Sequence, residues 1–194
     1  GTSAFVDCSK LTSVIWNAKN YPNPSSYSEA PFYCIRSQIQ DFVFGDSIEH
    51  IPSYFCYKMS RLTSVAIGNS LTSIGDDAFS GCSKLTSILW NAKNYPNPSS
   101  DSNAPFYDFR SQITNFTFGD NVEYIPAYLC YEMSNLTSIT IPNSVMSIGN
   151  MALYGCSALI ITNYMGDIAE WCNYKFATPT ANPIYYSKNF YINV

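Results

Sequence analysis

The sequence predicts a solenoid, a stack of short coils that each give one strand to a shared parallel sheet and contain little helix. Three observations lead there. Residues 11–84 align without a gap to residues 85–158, with about two in three positions identical. Each of these long repeats divides into three coils that open on one motif, L-x-x-[VIF]-x-[IWF]. The apolar residues of a coil lie on one side only, so the unit needs a copy of itself above and below to cover them.

The unit is plainest at 136–159, LTSITIPNSVMSIGNMALYGCSAL. Leu136, Ile139, Ile141, Val145 and Ile148 are apolar, and Ala152, Leu153 and Cys156 follow before Leu159 begins again. In L-x-x-[VIF]-x-[IWF] the fourth and sixth positions share a face, the two-residue period of a strand. The inward sixth position is Trp16, Phe44, Ile67, Trp90, Phe118 and Ile141. The fifth, pointing the other way, is Ile15, Val43, Ala66, Leu89, Thr117 and Thr140. A second short strand is expected near 71–74 and 145–148. The stretch GDDAFSGC (75–82), with Gly75 and Gly81 near its ends, reads as a turn or a single helical turn.

Taken in order, coils start at Leu11, Ile39, Leu62, Leu85, Ile113, Leu136 and Leu159, about seven in all. Before them, AFVDCSK (4–10) matches AFSGCSK (78–84), the end of a coil, so the chain reads as one repeat domain, 1–194, belonging to a longer protein. The first coil of each long repeat carries an insert, NAKNYPNPSSYSEAPFY (17–33) or NAKNYPNPSSDSNAPFY (91–107). Its X-Pro steps and serines predict an ordered, irregular loop. Trp16 and Trp90 are expected to fill the wider turn beneath it, each indole N–H needing a partner.

Composition excludes several functions. Charged residues are 12% of the chain and the net charge is −4, which leaves no basic field for nucleic acid. No apolar run reaches the length of about 18 residues that a membrane helix requires. Of the seven cysteines, Cys8, Cys82 and Cys156 share one repeat position, and Cys56 and Cys130 another. They read as small core hydrophobes, with serine at 82 or 156 expected to cost about 1–3 kcal/mol. His50, the only histidine, has Tyr124 as its repeat equivalent and no nucleophile motif beside it, so it reads as a surface aromatic. Asp46 with Glu49, and Asp120 with Glu123, recur in both copies, but two carboxylates are too few for calcium. No cofactor, metal or catalytic residue is implied.

The pattern L-x-x-I-x-I-P-x-S-V-x-x-I-G-x-x-A-[FL]-x-x-C resembles the BspA-like leucine-rich repeats of bacterial surface proteins. The tail resembles a variant coil of that family through Trp171, Phe176, Asn182 and Pro183. The Asn ladder of ordinary leucine-rich repeats is absent from the pattern. The resemblance implies a right-handed leucine-rich-repeat solenoid with its parallel sheet on the concave face. It also implies a place at the cell surface or outside the cell, and a host or partner protein as ligand, extracellular matrix included. Tyr21, Tyr95, Asn17, Asn91, Asp41 and Asn115 are the candidate partner-binding residues. The two tyrosines either display their rings from the insert loops or fold down as lids over the coil edge. Because Tyr, Trp and Asn also suit sugars, a carbohydrate-binding surface module is the alternative.

Overall fold

In the computed structural model of the chain, which describes residues 4–193, the strands follow the motif. In chain order they are β1 Ser13–Trp16, β2 Asp41–Phe44, β3 His50–Ile51, β4 Ser64–Ile67, β5 Ser73–Ile74, β6 Ser87–Trp90 and β7 Asn115–Phe118. They continue as β8 Tyr124–Ile125, β9 Ser138–Ile141, β10 Ser147–Ile148, β11 Ile161–Tyr164, β12 Lys175–Phe176 and β13 Asn189–Ile192. The motif strands form one eight-stranded parallel sheet in the order β1-β2-β4-β6-β7-β9-β11-β13. The short second strands make two further ladders, β3-β5 and β8-β10-β12. The chain is therefore a solenoid, with the core running continuously between the large sheet and the outer turns.

Like pairs with like along the sheet. Val14 lies beside Phe42 and Trp16 beside Phe44, Phe42 beside Val65, and Ile67 beside Trp90. A slip of one residue would turn every apolar side chain outward, so the alternation holds the register. The first, fourth and sixth motif positions are buried as expected in Leu62, Val65 and Ile67, while the fifth is outward: Ile15 is 77% exposed. In the sixth-position row Trp90 is fully buried, and Trp16, with no described coil outside it, is partly covered.

The inserts deliver aromatic filling. Phe32 stands edge-on to Trp16 at 5.7 Å and to Phe55 at 5.7 Å, and Phe106 does the same to Trp90 at 5.8 Å. One expectation fails here. The Trp90 indole N–H has no hydrogen-bond partner, so its packing must outweigh an unmade bond.

The outer turns carry two left-handed residues per coil. Tyr54 and Lys58 (φ 60° and 56°) are followed one coil later by Asp77 and Gly81 (56° and 78°), and the second copy repeats this at Tyr128, Glu132, Met151 and Gly155. Between the coils, backbones nearly touch. A Cβ on Gly149 would come within 2.5 Å of the Ala127 nitrogen, and one on Gly75 within 2.5 Å of the Ser53 nitrogen.

The tail supplies the last coil. β13 pairs with β11 in the same register as the other strands, Thr162 beside Phe190. A short α-helix, α1 (Ile168–Cys172), follows β11, and its first turn closes through a capping box between Asp167 and Glu170. Trp171 is buried against Tyr164, Phe176 and Phe190. Asn182 caps the turn that Pro183 opens, its side chain accepting from the Ile184 N–H at 3.0 Å.

The thiols form two internal columns. Cys56, Cys82, Cys130 and Cys156 are buried, whereas Cys8, at the coil position of Cys82, is exposed and does not join the core. The cysteine expectation also changes in detail. The Cys82 thiol donates to the Cys56 carbonyl at 3.1 Å and Cys156 to that of Cys130 at 3.2 Å, bonds that a serine hydroxyl can keep. Cys56→Ser should therefore cost about 1–3 kcal/mol and Cys82→Ser less, as read from urea melts of the two variants. Burial also lifts the Cys82 and Cys156 thiols from 9 to about 12. Held protonated inside and free to ionise when unfolded, they contribute stability that is complete below pH 9 and lost as pH rises toward 12. A falling melting temperature across that window, less steep in Cys82→Ala with Cys156→Ala, is the expected result.

Candidate functional site

Two surfaces hold the candidate residues: the outward face of the large sheet and the edge where the inserts close. On the sheet face the first and third residues of each strand point away from the core. Asp41 begins β2 and Asn115 begins β7, both exposed. Asp41 accepts a hydrogen bond from the Ser64 hydroxyl at 2.5 Å, and the Thr117 hydroxyl donates to Asn115 at 3.4 Å. The first of these crosses from β2 to β4, whereas the second stays within β7. The Asn163 amide also donates to the Thr140 hydroxyl at 3.3 Å.

The third-position row is graded. Ile15, Val43, Ala66 and Leu89 stand side by side on β1, β2, β4 and β6. They give way to Thr117, Thr140 and Asn163 on β7, β9 and β11. Ile15 and Leu89 are large apolar side chains left open to water. Isolated exposed leucines are ordinary, but a contiguous row marks an interaction surface.

At the insert edge the structure decides between display and lid. Tyr95 is 8% exposed and stands edge-on to Trp90 at 5.2 Å. Tyr21 is partly buried, edge-on to Trp16 at 5.6 Å and to Phe55 at 5.8 Å. Both rings are lids. Tyr95 belongs to the core and Tyr21 packs against it, and burial raises the Tyr95 hydroxyl to about 12. The reason is area: an aromatic ring over a widened coil buries more apolar surface than it could on a solvated loop.

The insert asparagines hold the coil ends. Asn17 accepts from the Ser47 N–H at 3.0 Å, and Asn91 donates to the Ile67 carbonyl at 2.9 Å. Asp46 continues the series, accepting from the Asn69 N–H at 3.0 Å. A short Asn/Asp ladder is therefore present after all, shifted by one residue between long and short coils and so invisible to a fixed-spacing pattern.

Asn23 and Asn97 do similar work at β3 and β8. Asn23 accepts from the Ser53 N–H at 3.0 Å and meets His50 Nε2 at 3.0 Å. Asn97 accepts from the Ala127 N–H at 2.7 Å and from the Tyr124 hydroxyl. His50 is thus a surface ring that caps the insert, its other nitrogen meeting the Ser73 hydroxyl at 2.8 Å. Burial lowers its pKa and so disfavours the charged ring. Tyr124 fills the same role, which explains the His/Tyr exchange between copies.

In the first copy the recurring carboxylates are engaged: Asp46 accepts from the Asn69 N–H of the next coil, and Glu49 pairs with Lys19 at 2.7 Å on the exposed edge. A cleft of about 370 Å³ between residues 74–80 and the second insert brings Asp76, Asp77 and Asp108 near Tyr95 and Tyr107. Among the described residues no three His, Cys, Asp or Glu side chains are grouped to hold a metal, and no helix is long and apolar enough to cross a membrane.

The sequence matches the family model for the BspA type leucine rich repeat region in six copies, over residues 1–99 and 100–192. Among solved structures, a T. pallidum leucine rich repeat protein is 21% identical at a TM-score of 0.46, over 63% of this chain and 57% of that one. A leucine-rich repeat protein from Bacteroides ovatus is 20% identical at a TM-score of 0.39, over 91% and 39%. A leucine rich cell surface protein from Faecalibacterium prausnitzii is 15% identical at a TM-score of 0.27, over 88% and 70%. The chain thus spans 57% and 39% of the first two. No curated protein matches.

Removing the insert clamp tests this account of the edge. Asn97→Ala leaves the nearly buried Ala127 N–H and the Tyr124 hydroxyl without their acceptor, and should cost about 1–3 kcal/mol. Faster proteolysis within 91–107, with cleavage elsewhere unchanged, is the accompanying signature.

Proposed function

Since the chain belongs to the BspA type leucine-rich repeat family, we propose that it is a non-enzymatic interaction module at the bacterial cell surface, binding a protein through the outward face of its large sheet. The family is one of repeat proteins with no catalytic activity indicated. The observation that carries the reading is the apolar row Ile15, Val43, Ala66 and Leu89, in register on a face otherwise made of Ser, Thr and Asn.

Protein-binding surfaces are poor in charge at their centre and ringed by polar groups. This face matches that description, with Asp41 on β2 and Asn115 on β7 as polar contacts. It is also preorganised, because its backbone is locked in the ladder and little order is lost on binding. A protein of the host extracellular matrix is the partner class proposed. Tyr21, Tyr95, Asn17 and Asn91 support the site from behind, by shaping the coils that present it.

Replacing Ile15 and Leu89 together by Lys puts two charges on the row while leaving the core untouched. Capture of the chain by immobilised matrix proteins should fall by about tenfold or more, with the melting temperature unchanged. Equal capture of wild type and the double variant would reject the sheet face as the site.

A further inference from the structure

The two long repeats differ in charge where the insert meets the turn after the second strand. In the second copy this edge is neutralised. Arg110 pairs with Glu132 at 2.9 Å, and its guanidinium lies 3.9 Å from the centre of the Tyr107 ring. In the first copy the equivalents are Arg36, Lys58 and Tyr33. The local geometry is shared. Arg36 lies 4.0 Å from the centre of Tyr33 and donates to the Tyr33 carbonyl at 2.7 Å. Lys58 and Glu132 have the same left-handed backbone. Two cations therefore occupy the positions that form an ion pair in the sister copy.

Nothing nearby compensates them. Among the described residues the ion pairs are Lys19–Glu49 and Arg110–Glu132. Glu29, a near carboxylate in the chain, is turned to Ser25, whose N–H and hydroxyl donate to it at 3.0 and 2.6 Å. The protein has a net charge of −4 and yet, among the described residues, gives neither cation an ion-pair partner.

Tyrosines join them into one surface. Tyr27, where the sister copy has Asp101, packs against Tyr57 at 5.1 Å and Tyr33 at 5.9 Å. Tyr54 adjoins Tyr57 at 5.9 Å, and the Lys58 ammonium lies 5.1 Å from the centre of Tyr57. Tyr27 is 46% exposed. The path from Arg36 through Tyr33, Tyr27 and Tyr57 to Lys58 is thus a strip of rings with a cation at each end.

We propose that this strip binds an acidic polysaccharide, a chain of pyranose rings bearing carboxylate or sulfate groups. The apolar C–H face of a pyranose lies flat on a tyrosine ring, whose hydroxyl remains free for the sugar hydroxyls. The guanidinium and ammonium take the anionic groups, Arg36 through two parallel N–H bonds and Lys58 as a point charge. An acidic peptide would use the cations but leave the run of rings without a partner, which favours the glycan. The strip is separate from the sheet face, so each can fail without the other.

Polygalacturonate is a direct probe, with neutral dextran and polyglutamate as controls, titrated against the intact chain. Binding to polygalacturonate alone is expected, weakening as salt rises from about 50 to 200 mM. Lys58→Glu combined with Tyr27→Asp installs the residues that the sister copy already folds with. It should weaken binding by about tenfold or more, and Lys58→Gln alone by several-fold, with melting temperatures unchanged. Unaltered affinity in both variants, or no affinity for polygalacturonate, would overturn the proposal. So would polyglutamate binding as tightly, which would point to an acidic peptide instead.

Discussion

The structure depends on one constraint: a coil of this sequence has a single apolar side, and only another coil in register can cover it. Stacking supplies that cover and, by the same act, satisfies the strand backbones through the parallel ladder. Neither half works alone. A slipped ladder would expose the apolar rows, and a stack without the ladder would bury unpaired N–H and C=O groups. Near-identical coils are the natural solution, because a side chain that fits above its neighbour also fits below the next.

The long coils strain this scheme and show how it is kept. Extra residues widen the turn, and the sequence refills it with large rings, Phe32 and Tyr21 in one copy and Phe106 and Tyr95 in the other. The polar cost is handled locally, by Asn17 at the end of one strand and by Asn23 and Asn97 at the outer ladders. The outer ladder fixes its own limits. Gly75 and Gly149 lie so close to the preceding coil that a methyl group has no room.

Repetition frees some positions while binding others. Interior positions accept apolar exchanges such as Ile48 for Val122, whereas edge positions change character, as Lys58 does to Glu132. One exchange is compensated in space: His50 and Tyr124 both reach the same insert asparagine. The Lys58 and Tyr27 exchanges are not, and they leave the two copies with different surfaces on one scaffold. A repeat protein can thus diversify its contacts without disturbing its core, since these exchanged side chains lie outside the buried rows.

The strands, their shared sheet and the inward rows were legible in the sequence because a two-residue alternation under a long repeat has few other physical meanings. The outward row of Ile15, Val43, Ala66 and Leu89 followed from the same alternation. Other features needed the fold. The ladder of Asn17 and Asp46 hid behind a shift in spacing. Tyr21 and Tyr95 were ambiguous because a ring beside proline reads alike whether it is displayed or folded down, and only the hole above Trp16 and Trp90 settled it. The strip of rings from Arg36 to Lys58 joins different coils. One-dimensional pattern determined what each coil buries, and three-dimensional stacking decided which edge residues meet, because neighbours across a coil boundary are some two dozen residues apart in the chain and adjacent only in space.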